Sequence, residues 1–288
     1  MITVTGTGVP VTVLHRLALG VEAIDAATAA RAQYPLVAER ELPADLWEQR
    51  PGRMRTWPTA PPRVGPRLID GLGGRFRLLH DGPIGSQVTV RLFDHDRRCV
   101  PRRLQVPPWT MAEVGASEQD PPGPYVRVLS RVLRPWLSPG MAYPVSGVTA
   151  IRARLVLGTA PLRWARVTAV ETQSQMVVGR AHGDERGEFL LLISGRGTIP
   201  PPRDSIDVTL RIRARVPQPE PDPRDPLADL PIEVFPRSAN PPTAADLDNP
   251  RLRGQQPPPG YRLSSGRPQL RIPIGSLYAP GVPYPFIP

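Results

Sequence analysis

Proline is the residue that most constrains this chain, because it fixes φ and removes the backbone donor that helices and central strands need. The sequence holds 41 prolines among its 288 residues, and 19 of them fall within the last 72. Long helices and central strands are therefore excluded from the last quarter of the chain. We predict that the compact part ends near Val216 and that an extended, proline-rich arm follows over 217–288.

Ahead of that arm, apolar and polar residues alternate with a period of two, which is typical of half-buried strands. Residues 151–157 alternate in this way, and residues 208–216 do so more regularly, with arginine at the outward positions. Turn signals separate such runs about every ten residues. This spacing predicts an antiparallel β-sandwich over 148–216.

The N-terminal half repeats this pattern. Residues 74–79 parallel 187–192, and residues 88–93 parallel 208–213. We therefore predict an all-β fold of two tandem antiparallel β-sandwich domains plus an extended proline-rich C-terminal arm. The first sandwich spans 1–108 with a proline- and tryptophan-rich insert at 43–66. Residues 109–147 form an ordered connector with a short helix at 126–133.

Large apolar side chains recur along the arm in spite of its prolines. Burying one such side chain stabilises a protein by about 1.5–3 kcal/mol, so leaving several of them in water is unfavourable. We predict that the arm docks on neighbouring subunits by strand addition and by anchors in pockets. The predicted anchors are Leu270, Ile272, Tyr278, Tyr284 and Phe286. A free, disordered tail is the alternative.

The chain carries a formal net charge of +10, and all its basic residues are arginine. The charge is +5 over 1–108, +5 over 109–216 and zero in the arm. A nucleic-acid-binding protein usually concentrates positive charge on one segment, so we predict no nucleic-acid partner. One local cluster stands out, formed by Arg97, Arg98, Arg102 and Arg103. It fits either an acidic partner surface, through bidentate pairs, or a solvated hairpin.

No sequence motif indicates catalysis. The chain has no nucleophile elbow, zinc-protease helix, phosphate-binding loop or dinucleotide fingerprint. His95 between Asp94 and Asp96 is the one cluster that suggests a metal, but zinc needs three or four converging ligands. Cys99 is expected to be buried as a small apolar residue. We predict no catalytic residue, metal or cofactor, and hence a non-enzymatic protein.

The N-terminal residues favour a strand and not a signal peptide. No apolar run reaches the roughly 18–20 residues that span a bilayer. The single cysteine excludes an intrachain disulfide. We expect a cytoplasmic protein that does not insert into a membrane and that leaves the cytoplasm only as part of a larger particle, released or anchored.

The second sandwich resembles the carboxypeptidase-regulatory-like, transthyretin-type β-sandwich. The resemblance is carried by residues 158–162, 165–167 and 184–189, which look like that family's turn, its "P-L-x-x-A-x-V" pattern and its "D-x-x-G-x-F" hairpin. It covers about 70 residues of the chain. It implies a packing and display module that has no catalytic site of its own.

Residues 92–94, 99–104 and 134–144 resemble proteins encoded with phage-tail-like contractile injection systems. Cys99, where an aromatic residue is expected, and the long arm depart from that pattern. The resemblance implies a structural subunit of the particle, such as a cap, adaptor or baseplate-associated protein. Its partners would be sheath, tube, cap or baseplate proteins, with several copies in a symmetric ring. The alternative is a ligand- or carbohydrate-binding accessory protein.

Overall fold

The structure, a computed structural model, describes residues 2–4, 11–13, 16–41, 68–71, 73–80, 84–116, 126–194 and 204–288. The predicted insert at 43–66 lies outside these residues. Strands in several sheets are the main regular structure of the described chain, with little helix, so the predicted all-β class is confirmed. No helix in the described ranges is long and apolar enough to cross a membrane.

The described strands within residues 1–108 are short. They are β1 (Ile2–Val4), β2 (Val11–Val13), β3 (Leu17–Glu22), β4 (Ile24–Asp25), β5 (Ala30–Arg31), β6 (Val37–Glu41), β7 (Ile69–Asp70), β8 (Arg75–Leu79), β9 (Val88–Phe93) and β10 (Arg102–Val106). One sheet contains β6, β9 and β10, and another contains β3, β8 and β7. Apolar residues from both sheets form one core cluster, which includes Phe76, Leu92 and Leu104.

The segment after β10 packs against this sandwich as further short elements. They are α1 (Met111–Ala116), a 3₁₀ helix (Val128–Arg131), β11 (Val132–Leu133) and β12 (Trp136–Leu137). The helix predicted at 126–133 is thus a single 3₁₀ turn followed by a strand. β11 runs parallel to β3, and β12 runs parallel to β4.

The second sandwich follows the predicted alternation closely. Its strands are β13 (Ala150–Leu157), β14 (Ala160–Pro161), β15 (Arg166–Glu171), β16 (Val177–His182), β17 (Glu188–Leu192) and β18 (Ser205–Arg215). One sheet has the order β14-β13-β17 and the other β16-β15-β18. On β18, the alternate residues Val208, Leu210, Ile212 and Ala214 are fully buried, as the period-two pattern requires.

The C-terminal segment, residues 217–288, returns to both sandwiches of its own chain. Its elements are β19 (Ile232–Val234), α2 (Ala244–Leu247), β20 (Tyr261–Leu263), β21 (Gln269–Pro273), β22 (Leu277–Tyr278) and β23 (Tyr284–Pro285). β19 pairs with β10 in the first sandwich. β20 and β21 pair with the outer edge of β18, whereas β22 and β23 pair with β13.

This arrangement corrects the predicted arm. The sequence prediction assumed that its apolar side chains need a surface from another chain, and that assumption is wrong. Ile272 is fully buried and Phe286 nearly so, both within the core of the second sandwich, and Leu270, Tyr278 and Tyr284 pack against the same core. Proline is compatible with these strands because they lie at sheet edges, where a missing donor faces outward.

The two sandwiches share an order of strand pairing. β3 pairs with β8 as β13 pairs with β17, and β6 pairs with β9 as β15 pairs with β18. In each sandwich, a later segment also adds a parallel strand to the first of these strands, β11 on β3 and β22 with β23 on β13. Edge strands carry unpaired backbone groups, and these additions satisfy them within the chain.

Candidate functional site at the junction of the two sandwiches

The arginine cluster predicted to meet a partner lies at the junction between the sandwiches. Arg97, in a left-handed turn with φ of 59°, reaches the second sandwich. Its guanidinium donates to the Asp184 carboxylate and, at 3.1 Å, to Glu188. Arg98 donates to Asp94 and Asp96, each at 2.8 Å. Neither side chain is a free cation for an acidic partner.

Arg102 and Arg103 are held by the chain itself as well. Arg102 is completely buried, because it takes an inward position on β10. Its Nε and one Nη donate to the two oxygens of Glu233, at 3.0 and 2.5 Å. Its other N–H groups donate to the carbonyl oxygens of Trp136, Leu252 and Arg251. Arg103 points outward from the same strand and pairs with Glu41 at 2.6 Å.

Glu233 joins three parts of the chain. It lies on β19, accepts from Arg102 of the first sandwich and pairs at 3.3 Å with Arg166 of the second. Tyr261 lies against the Arg166 guanidinium, 5.9 Å from the ring centroid. Charges buried this deeply are tolerated only when paired and hydrogen-bonded, so the position of Glu233 requires both arginines.

The C-terminal segment supplies acidic residues at intervals of four, each paired with an arginine from a sandwich. The pairs are Asp225 with Arg91 at 2.7 Å, Asp229 with Arg163 at 2.5 Å, and Glu233 with Arg102. All six side chains are at most 13 % exposed. The junction is therefore an ion-pair network that fixes the segment to both domains.

His182 is buried in the same junction. Its backbone N–H donates to the Ser138 hydroxyl at 3.0 Å, and its Nε2 lies 2.9 Å from the carbonyl oxygen of Gly254. A Cβ at Gly254 would lie 2.6 Å from the imidazole, and Gly254 has φ of +66°, so only glycine fits. Burial, reinforced by Arg166 and Arg102, lowers the pKa of His182 well below its usual range.

This lowered pKa predicts a loss of stability in mild acid. Above a pH of about 6.5, His182 is neutral in both the folded and the unfolded state, and its contribution does not lower the free energy of unfolding. Below that pH, His182 binds a proton in the unfolded chain but not in the folded chain. The free energy of unfolding therefore falls by up to about 1.4 kcal/mol per pH unit, until the pH reaches the pKa of His182 in the folded state. Urea unfolding at several pH values, compared between the native chain and His182→Gln, measures this contribution.

The matched control is His95→Gln, because His95 is exposed on a turn. It should leave the native pH dependence unchanged. A His182→Gln curve that runs parallel to the native one would contradict the prediction. Burial and Glu185 raise the pKa of Asp184, which increases the free energy of unfolding as the pH falls, opposite to the effect of His182. Asp184 is present in the native chain and in both variants, so its effect cancels in the comparison.

The remaining candidates for chemistry do not converge. Cys99 is buried, and burial raises the pKa of its thiol, so the inert state is favoured. His95 stacks edge-on against Phe93 at 5.1 Å. In the ranges that the structure describes, no group of three or more His, Cys, Asp or Glu side chains could hold a metal ion.

A cavity of about 480 Å³ lies at the edge of the junction. Its walls include Tyr261, Arg215 and Asp229 together with four prolines of the C-terminal segment. Asp229 Oδ1 accepts from Arg163 and from the Trp164 indole at 2.9 Å, but Oδ2 has no hydrogen-bond partner among the described residues. The cavity is therefore mixed in character, with an apolar wall and four charged side chains, those of Arg103, Arg215, Glu220 and Asp229.

Sequence reasoning missed the acidic half of this network. The signal was present in two forms. Arg102 shares its phase on β10 with Leu104 and Val106, so the alternation already placed it inward. The arm's neutral charge also concealed three carboxylates at regular spacing, which complement arginines elsewhere in the chain.

Comparisons with known proteins identify no family. No protein-family model matches the sequence, and no curated protein matches it. Among solved structures, a leucine-rich repeat protein from Bacteroides thetaiotaomicron VPI-5482 aligns with 9% sequence identity and a TM-score of 0.21. The alignment covers 94% of this chain and 26% of that chain, so this chain spans about a quarter of its length. A similarity this low carries no argument about fold or function.

Proposed function

We propose that the chain is a non-enzymatic structural subunit of a larger assembly, in which the two sandwiches form a rigid spacer. The observation that supports this proposal is the use of the C-terminal segment. It adds strands to both sandwiches and places Glu233 between Arg102 and Arg166. Such a segment fixes the distance and angle between two domains, which is what a subunit that positions its neighbours requires.

We propose further that the assembly is a contractile, phage-tail-like particle, with the chain as a cap, adaptor or baseplate-associated protein. This part rests on the resemblance of residues 92–94, 99–104 and 134–144. The proposed mode of docking differs from the sequence prediction. Because Ile272 and Phe286 are buried in their own domain, they are not the docking anchors, and we place the contacts with sheath, tube or ring neighbours on exposed surface.

The test is co-sedimentation of the tagged full chain with particles from its native cells. The chain should sediment with sheath and tube proteins at a fixed ratio. Arg97→Ala, which removes the contacts to Asp184 and Glu188 of the second sandwich, should reduce that ratio. Arg262→Ala, at an exposed arginine on β20, is the control. A chain that stays at monomer mass in cells with assembled particles would contradict the proposal.

One observation favours a second function, that of a ligand-binding accessory protein. The cavity beside Tyr261 lies between domains, where binding sites are common, and its volume is in the range of small-ligand sites. The exposed Glu220 and Arg215 at its wall would suit a ligand rich in hydroxyl groups, such as a carbohydrate. A rise in melting temperature with an oligosaccharide, lost in Arg215→Ala, would support this function. No shift across a panel of oligosaccharides would contradict it.

A further inference from the structure

A groove crosses the outer face of the sheet that contains β11, β3, β8 and β7. One row of paired residues runs across this face: Ile69, Arg77, Gly20 and Val132. Gly20 lies at the centre of the row and has no side chain, and a Cβ there would come within 3.0 Å of Val132 Cγ2. The resulting depression has a volume of about 400 Å³.

The surface of the groove is apolar and accessible. Leu17 and Val132 are half-buried in its wall, and Leu129 of the 3₁₀ helix is 48% exposed. Ile69, beside Arg77 on the neighbouring strand, is 42% exposed. Concave apolar surface with a polar border is typical of a protein-interaction site.

The border of the groove is positively charged. It is lined by three arginines, Arg75, Arg77 and Arg134, and by a single carboxylate among the described residues, that of Glu22. Glu22 pairs with both Arg75 and Arg134, each at 2.9 Å. Arg77 is exposed and has no ion pair among the described residues. This differs from the junction, where each of the four predicted arginines is neutralised by the chain's own carboxylates.

We propose that this groove binds an acidic segment of a partner protein, with one aliphatic or aromatic side chain placed over Gly20 and carboxylates placed on Arg77 and its neighbours. The inference rests on the proposed structural function and names the class of partner. Charge complementarity favours an acidic segment, because guanidinium groups form bidentate hydrogen bonds with carboxylates. The apolar floor of the groove can bury one side chain of that segment. An acidic partner is one of two interpretations of the arginine cluster at 97–103, and the groove lies on the opposite sheet.

The test uses the full chain and a fluorescent hexapeptide, Glu-Glu-Leu-Phe-Glu-Asp, in an anisotropy titration. Binding is expected and should weaken with added salt, because the border arginines are exposed. Arg77→Glu should raise the peptide Kd by about tenfold or more. Arg262→Glu, a charge reversal of an exposed arginine on the second sandwich, should leave it unchanged within about twofold. A peptide with lysine in place of each acid should not bind.

A second variant separates shape from charge. Gly20→Val fills the floor without changing charge and should abolish binding; if it fails to fold, Leu129→Asp tests the wall at an exposed position. Failure of the acidic peptide to bind, or binding that resists both Arg77→Glu and Leu129→Asp, would overturn the inference. Binding of a single-stranded oligonucleotide or of phosphatidylserine vesicles through Arg77, without peptide binding, would also overturn it.

The peptide titration and the co-sedimentation experiment can fail independently. If the chain joins particles but does not bind the peptide, the proposed function is supported and the proposed binding site in the groove is contradicted. If the chain binds the peptide through Arg77 but is absent from particles, the groove is supported as an acidic-peptide site and the proposed function is contradicted.

Discussion

Replacing Glu233 with glutamine is expected to lower the free energy of unfolding by about 3–5 kcal/mol, since removing one partner of a buried ion pair leaves an uncompensated buried charge. Here two guanidinium groups, those of Arg102 and Arg166, would lose their shared carboxylate. The glutamine amide has one acceptor oxygen where the carboxylate has two, its NH₂ group is a donor, and it supplies no charge. Urea unfolding, followed by tryptophan fluorescence, measures the change.

Asp248→Asn is the matched control, because it also removes the carboxylate of an arginine pair. Asp248 and Arg253 are 55% and 35% exposed, and pairs of this kind contribute less than about 1 kcal/mol. The two variants should therefore differ several-fold in their effect on stability. Equal effects would show that the junction is open to water, and the rigid-spacer proposal would lose its main support.

Replacing Ile272 with alanine is expected to destabilise the isolated chain by about 2–5 kcal/mol, because the side chain is fully buried in the core of the second sandwich. Ile274→Ala provides the comparison from the same part of the chain. Ile274 is 43% exposed, just beyond the end of β21, so its loss should change the free energy of unfolding by no more than about 0.5 kcal/mol. Both are measured on dilute monomer.

This pair of variants also decides between the two placements of the C-terminal segment. If the anchors are part of their own domain, Ile272→Ala lowers monomer stability whatever the partner. If the segment instead docks on neighbouring subunits, Ile272→Ala leaves the monomer's stability unchanged and impairs only its assembly. The second result would restore the sequence prediction and contradict the pairing of β21 with β18.

Local patterns in the sequence were sufficient for much of the fold. The alternation over 208–216 follows from the pleat of a strand, which places successive side chains on opposite faces, and it predicted the buried set on β18 residue by residue. The parallel between 74–79 and 187–192 likewise matches equivalent strands, β8 and β17, in the two sandwiches. A period of two involves only a few consecutive residues, so it can be recognised from the sequence without the structure.

For the candidate site, the sequence identified the arginines but not their partners. Arg102 and Glu233 are separated by 131 positions, and their pairing depends on β19 lying parallel to β10. Neither residue carries a local mark of that contact. The sequence showed which side chains would need counter-charges, and the fold supplied those counter-charges from within the chain.

By itself, the sequence determined the all-β class, the alternation of the long strands and the need of Ile272 and Phe286 for an apolar environment. Only the tertiary structure decided where that environment is. A sheet edge accepts any strand that presents backbone donors and acceptors in register, whether from its own chain or from another. The choice depends on reach and geometry, and here the edges of β13 and β18 lie within reach of the chain's own C-terminal segment.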